Sequence, residues 1–138
     1  MRYLLDTNVL SELCRKQPSP NVLAAMERHS AECAIASVTW HELNYGCDRL
    51  EPSQRQTQLR AYIESVGTTL PILPYDAAAA KWHGMERARL SRMGLTPAFA
   101  DGQIAAITMV NGLILVTNNV RDFQGFEGLT VENWFMSL

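Results

Sequence analysis

The tightest constraint on the fold is the alternation of short apolar runs with helical patterns along the chain. Tyr3-Leu4-Leu5 gives way at once to Asp6-Thr7-Asn8 and to apolar Val9, Leu10 and Leu13 at helical spacing. Cys33 to Ala36 is a second apolar run of small residues, Leu70 to Leu73 a third, Leu113 to Val116 a fourth, and Thr130 to Glu132 a candidate fifth. Runs this short, bounded by turn residues, read as buried strands. Between them lie segments with helical signals. Parallel strands need crossover connections, and the crossover helices cover both faces of the sheet. The expected class is therefore α/β: a central, mainly parallel sheet of about four or five strands flanked by helices as an α/β/α sandwich.

Local punctuation sets the expected boundaries. Pro18 and Pro20 break a first helix over residues 8–16, and Asn21 to Arg28 forms a second. Ser37 and Thr39 are caps for a helix carrying Trp40, Glu42, Leu43 and Tyr45. Ser53 and Gln56 make a capping box before the stripe Leu59, Tyr62, Ile63 and Val66, which Gly67 is expected to stop. Pro71 and Pro74 assign the third strand to a sheet edge. Asp76 caps a long helix to about Met93 that Gly94 closes. Thr96-Pro97 starts another with proline in its first position, ending near Asn111-Gly112.

Composition narrows the function classes. The chain has 138 residues, 47% hydrophobic and 19% charged, which suits one globular domain. No apolar run approaches the ~20 residues of a membrane span, and the N-terminus, interrupted by Asp6 and Asn8, lacks a signal-peptide pattern. A cytoplasmic location is expected. Cys14, Cys33 and Cys47 have neither disulfide nor zinc spacing. A net charge of -2 argues against strong non-specific nucleic-acid binding, but leaves room for a nuclease whose acids cluster in one pocket.

Four acids share one context. Asp6 ends the first strand; Glu42 lies early in the helix after the second; Asp101 lies in the first turn or so of the helix from Pro97; Asp122 lies in the loop after the fourth strand. Strand ends line up along one edge of a parallel sheet, and ligands bind just outside the carboxyl ends. Converging carboxylates raise one another's pKa and oppose folding. A hard divalent ion with oxygen ligands and retained waters removes that cost, and it suits phosphoryl chemistry. Mg²⁺, with Mn²⁺ as a substitute, is the expected cofactor.

These segments resemble those of PIN-domain ribonucleases, and most of all the VapC toxins of bacterial type II toxin–antitoxin pairs. The similarity runs through Tyr3-Leu4-Leu5-Asp6-Thr7-Asn8-Val9-Leu10-Ser11-Glu12-Leu13, Ser37-Val38-Thr39-Trp40-His41-Glu42-Leu43-Asn44-Tyr45-Gly46, Asp101-Gly102-Gln103-Ile104-Ala105-Ala106 and Leu115-Val116-Thr117-Asn118-Asn119-Val120-Arg121-Asp122-Phe123. It covers nearly the whole chain as a single PIN domain over residues 1–138. The resemblance implies a Mg²⁺-dependent endoribonuclease with Asp6, Glu42, Asp101 and Asp122 as catalytic acids and Asp6 and Asp101 as direct metal ligands. It also implies an RNA substrate, a cognate VapB-like antitoxin and a homodimer. Where many relatives have an acid two residues past the fourth strand's end, this chain has Asn118, so either Asn118 or Asp122 completes the site. Thr7 and Thr117 are candidates to hydrogen-bond the carboxylates.

Structural roles compete at each position. Asp6 by itself is equally a helix cap, Asp101 a favourable partner for a helix dipole, and Glu12 half of a salt bridge. His41 lacks a second histidine at zinc-protease spacing because Tyr45 stands there, and His29 and His83 have no ligand-spaced partners. Lys81, Arg89 and Arg92, with Arg87 adjacent, read as a solvated helix face or as a rim that tracks phosphates. Two other functions fit parts of the pattern: a catalytically inactive PIN-like module that binds RNA or a partner, and a metal-dependent phosphatase. The second needs a lysine near the site and a different motif after Asp6.

Overall fold

Tyr3–Leu5 (β1) is the middle strand of a five-stranded sheet in a computed structural model that describes residues 1–136. The helices and strands that follow are α1 (Thr7–Leu13), α2 (Pro20–His29), a 3-10 turn (Ser30–Glu32), β2 (Cys33–Ala36), α3 (Ser37–Asp48), α4 (Gln54–Thr69), β3 (Ile72–Leu73), α5 (Ala77–Arg92), α6 (Phe99–Val110), β4 (Ile114–Val116), α7 (Val120–Phe123) and β5 (Val131–Glu132). The strand order is β3-β2-β1-β4-β5, and every pairing is parallel. The chain moves outward from β1 on one side through β2 and β3, then returns to β4 on the other. The strand order thus reverses at β1, and a crevice opens beyond the carboxyl ends of β1 and β4.

Side chains alternate across the pleat, so each strand feeds two cores. Tyr3, Leu5, Cys33, Ile35 and Val116 join Val9, Leu10, Val22, Leu43, Ile63 and Val66 on one face. Leu4, Ala34, Ala36 and Leu115 join Leu90, Ile104, Ile107 and Phe123 on the other. Leu4, Leu5, Ile35 and Leu115 are wholly buried, and each such side chain stabilises the fold by roughly 1.5–3 kcal/mol. These are the α/β/α layers expected from the alternation of strands and helices. The third strand does lie at an edge, shortened to Ile72–Leu73.

Several boundaries differ from the expected ones for local reasons. Gly67 does not stop α4, which runs on to Thr69. A Cβ at that position would come within 2.5 Å of Trp40 Cη2, so glycine there admits the α3 indole. Ser53 caps α4 by accepting from Gln56 N at 3.1 Å, but the Gln56 amide turns to the carbonyls of Leu50 and Cys47 instead of closing a capping box. The strand β2 runs directly into α3, so Ala36 is its N-cap without a side-chain bond, and neither Ser37 nor Thr39 serves. The helix α6 begins at Phe99 with Ala98 as its cap, and Pro97 stays outside it. The helix α1 ends at Leu13 instead of continuing to residue 16. Asp76 caps α5 as expected, accepting from Ala79 N at 2.9 Å, and Gly94 closes the helix at φ 78°.

Candidate active site

Asp6 follows β1 directly and is the N-cap of α1. Its Oδ1 accepts from Thr7 N at 2.8 Å; its Oδ2 accepts from Thr117 Oγ1 at 2.8 Å and Asn8 Nδ2 at 3.2 Å. Thr117 follows β4, is fully buried, and has its hydroxyl hydrogen committed to Asp6. Its oxygen accepts from Asn8 Nδ2 and Asn119 N, both at 3.0 Å. Asn8 Oδ1 accepts from Asn118 N at 2.9 Å. One amide therefore ties the end of β1 to the end of β4. Asp6, 7% exposed, is held in one place by donors from both sides of the crevice.

Asp6, Glu42 and Asp101 line a single cleft of about 520 Å³ with Thr7, Asn8, Ser11, Glu12, Arg15, Ala100, Ile104 and Asn119. Glu42 comes from the second turn of α3 and Asp101 from the first turn of α6. Burial raises the pKa of Asp6, against the pull of its hydrogen bonds, and the Asp122 charge raises it further. Burial raises Glu42 as well, followed by the charge of Asp6. The Thr7 hydroxyl beside Glu42 favours its ionised form. Asp101 is pushed up to about 6 by burial and then by Asp6 and Asp122. Among the described residues, none of the four acids forms an ion pair.

Asp122 does not line the cleft, but its charge acts on Asp6 and Asp101. It sits in the one-turn helix α7, not in a loop. The Asn118 side chain accepts from Asn133 Nδ2 at 3.3 Å, while its neighbour Asn119 borders the cleft. Glu12 accepts from Arg15 Nη1 at 3.0 Å and from Ser19 N at 2.8 Å, so a structural role is in place. His83 is buried, with Nδ1 2.7 Å from the Tyr75 hydroxyl; His41 stacks on Tyr45, and His29 packs by Tyr3 and Trp134. Arg89 is taken up by Glu86 and Glu127, which removes it from any phosphate rim.

The donor set suits a hard cation. It offers carboxylate, hydroxyl and amide oxygens, and the Thr7 hydroxyl is buried with no hydrogen-bond partner among the described residues. No three acidic, histidine or cysteine side chains among those residues are placed to hold an ion. Mg²⁺ tolerates that arrangement because it keeps several waters and needs only one or two direct carboxylates. Sequence reasoning did not single out Asn8, Ser11, Arg15 or Asn119 as parts of the cleft. For the first three the available signal was spacing: Asn8, Ser11 and Arg15 share a helical face with Glu12.

A PIN domain model matches residues 3–128. The chain is 35% identical over 134 residues to a tRNA(fMet)-specific endonuclease VapC of Shigella flexneri, covering 97% of this chain and 98% of the relative. It is 34% identical, with the same coverage, to ribonuclease VapC2 of Haemophilus influenzae. Among solved structures it is similar to FitAcB from Neisseria gonorrhoeae, with TM-score 0.89 and 29% identity over 98% of this chain and 99% of that one. It is also similar to DNA-bound VapBC from Salmonella typhimurium, with TM-score 0.85 and 30% identity over 97% and 98%.

Proposed function

The chain belongs to the PIN domain family, and from that premise we propose that it is a single-domain, Mg²⁺-dependent endoribonuclease, the toxin of a VapBC-type pair. One observation carries the proposal: Asp6, Glu42 and Asp101 meet in one cleft at the carboxyl edge of the sheet, unpaired by any cation among the described residues. Asp6 and Asp101 are the direct ligands in this reading, with Glu42 holding water beside them and Asp122 acting through its charge. When bound, Mg²⁺ supplies an acidified water and charge compensation for the phosphodiester.

The chain's own residues do the positioning. Thr117, Asn8 and Thr7 N fix the Asp6 carboxylate before substrate arrives, so little reorganisation remains for the reaction. Glu42, with the Thr7 hydroxyl beside it, lines the cleft and orients water in it. Asp122 adds negative field from the edge. Hydrolysis places a water oxygen on phosphorus as the P–O3′ bond breaks, so one product leaves with a 3′-hydroxyl and the other keeps a 5′-phosphate. The full-length relatives are named as ribonucleases, one of them specific for a transfer RNA, so transfer RNA is the first substrate class to try. VapBC, the name of the similar structure, denotes a family of toxin–antitoxin systems, and a cognate VapB-like antitoxin is this chain's partner. We assign it a homodimer as well. No described helix is long and apolar enough to cross a membrane, which accords with a cytoplasmic location.

The test is cleavage of RNA by antitoxin-free protein in Mg²⁺ and in EDTA, beside Asp6→Asn. Cleavage that needs Mg²⁺ and drops by about 10²–10³-fold in the variant, the scale for losing one electrostatic contributor, is the expected result. Intact protein that cuts no RNA with any divalent ion points to the binding-module reading. Cleavage that survives in Asp6→Asn removes Asp6 from the ligand set.

A further inference from the structure

One cation borders the acidic cleft: Arg15 is the single lysine or arginine among its lining residues. It lies just past α1, on the side of that helix that also presents Asn8, Ser11 and Glu12 to the cleft. Its guanidinium is only partly used. Nη1 reaches Glu12 Oε1 at 3.0 Å and Oε2 at 3.2 Å, while Nε and Nη2 have no partner among the described residues. Arg89 is the opposite case, with Nε on Glu86, Nη2 on Glu86 and the Gly125 carbonyl, and Nη1 on Met93 Sδ. The Glu12 brace is itself fixed. It is 9% exposed and accepts from Ser19 N at 2.8 Å, so it does not depend on Arg15 for its place.

We propose that Arg15 is an RNA-phosphate-binding residue of the cleft, held at its lip by Glu12 with Nε and Nη2 turned over to substrate. The inference rests on the ribonuclease reading and extends it. A helix rises 1.5 Å per residue, so Leu13, the last residue of α1, lies roughly 8 Å from Asn8 along its axis, and Arg15 follows just beyond it. That spacing assigns it a phosphate beside the scissile one. A planar guanidinium with one free edge, formed by Nε and Nη2, suits a phosphate's paired oxygens. The contact sets register on the backbone and carries no base sequence. It also answers an electrostatic problem: a pocket of acids repels RNA, and one braced cation at its rim gives the backbone a place to land.

Steady-state cleavage of unfractionated transfer RNA in Mg²⁺, across a NaCl series, tests this with Arg15→Gln, Arg15→Lys and Lys16→Gln. Arg15→Gln should raise KM about tenfold, as loss of one charge-assisted contact does, with kcat within about twofold. Its kcat/KM should depend less steeply on salt, by about 0.7–0.9 in log–log slope. Arg15→Lys should keep the salt slope and lose part of the affinity. Lys16, exposed and outside the cleft, should tolerate glutamine without change. An Arg15→Gln enzyme with unaltered KM and salt slope, or one that loses kcat alone, overturns the proposal. If the wild-type chain cuts no RNA, the ribonuclease reading fails separately. Fluorescence anisotropy of labelled transfer RNA in EDTA then decides the question of Arg15. About tenfold weaker binding by Arg15→Gln supports its role, and equal binding removes it.

Discussion

Glu86 on α5 and Asp6 at the end of β1 are buried to the same extent, each 7% exposed, and the protein treats them in opposite ways. Glu86 receives Arg89 Nε at 2.6 Å and Nη2 at 3.0 Å, and Glu127 N at 2.6 Å. The hydrogen bond from Arg89 leads in lowering its pKa, against the effect of burial. Asp6 receives three neutral donors and no cation, and burial wins, so its pKa rises. Buried charges in proteins are normally paired. Here one buried acid is completed by the chain, and the other is left incomplete next to Glu42 and Asp101. The difference teaches where to look for a ligand: a fold whose Arg89 guanidinium secures both Glu86 and a backbone carbonyl 36 residues away supplies no such cation to Asp6.

Removing Arg89 is the hardest test of this contrast. Arg89→Ala leaves Glu86 buried with one backbone donor, and breaking such a pair is strongly destabilising. The expected result is a Tm lower by about 10 °C for a chain of this length, with RNA cleavage per folded molecule intact at permissive temperature. Glu86→Gln added to Arg89→Ala should recover part of the loss. If Arg89→Ala melts like the wild type, the pair is not holding the loop around Gly125 and Glu127, and the comparison loses one of its arms.

How much of this was readable from the chain depends on distance in sequence. Strand positions, the two faces of the sheet and the caps at Ser53 and Asp76 follow from local chemistry, so the α/β architecture was legible. Asp6 and Glu42 were legible too, because they follow strand ends that a parallel sheet must align; Asp101 joins them from the first turn of α6, while Asp122 lies outside the cleft lining. What could not be read were couplings across the fold. The bond between Asn8 and Asn118 spans 110 residues, and nothing near either asparagine announces the other. Gly67 looked like a helix stop because its reason, the Trp40 indole, lies on another helix. Arg89 looked like part of a basic face because Glu86 and Glu127 meet it only in three dimensions.

A second test sits where the two regions touch. Gly102 follows Asp101 on α6, and a Cβ there would lie 2.2 Å from Nε2 of His83 on α5. His83 is buried and bonded to the Tyr75 hydroxyl, so the ring has little freedom to withdraw. Gly102→Ala should therefore force α6 outward, at an overpacking cost of about 1–3 kcal/mol. Displacing the helix also displaces Asp101, so cleavage should fall further than stability explains. Gly46→Ala, where no atom lies within 4 Å, is the matched control. Full activity in a destabilised Gly102→Ala protein would mean that the approach of α5 to α6 does not position Asp101.

The smallest effect is the most direct reading of the incomplete site. Asp101 is raised from an ordinary 3.8 to about 6 in the folded state. A carboxyl with a raised folded pKa binds its proton more tightly when folded, so stability falls as pH climbs from about 4 to about 6 and stays reduced above that. The Glu86 pair has the opposite sign: its contribution is present above the ordinary carboxylate range and is lost on acidification. Asp101→Asn should thus stabilise the metal-free protein at pH 7 by on the order of 1–2 kcal/mol, allowing for solvent screening of a partly exposed group, and do nothing at pH 3.5. Adding Mg²⁺ at pH 7 should raise the wild-type Tm and close most of the gap, because an ion that binds only the folded state stabilises it by mass action. Thermal melts at the two pH values, with and without Mg²⁺, measure all of this at once. A wild type that is insensitive to Mg²⁺ while Asp101→Asn gains stability would mean that the acids repel one another for a reason other than awaiting a cation.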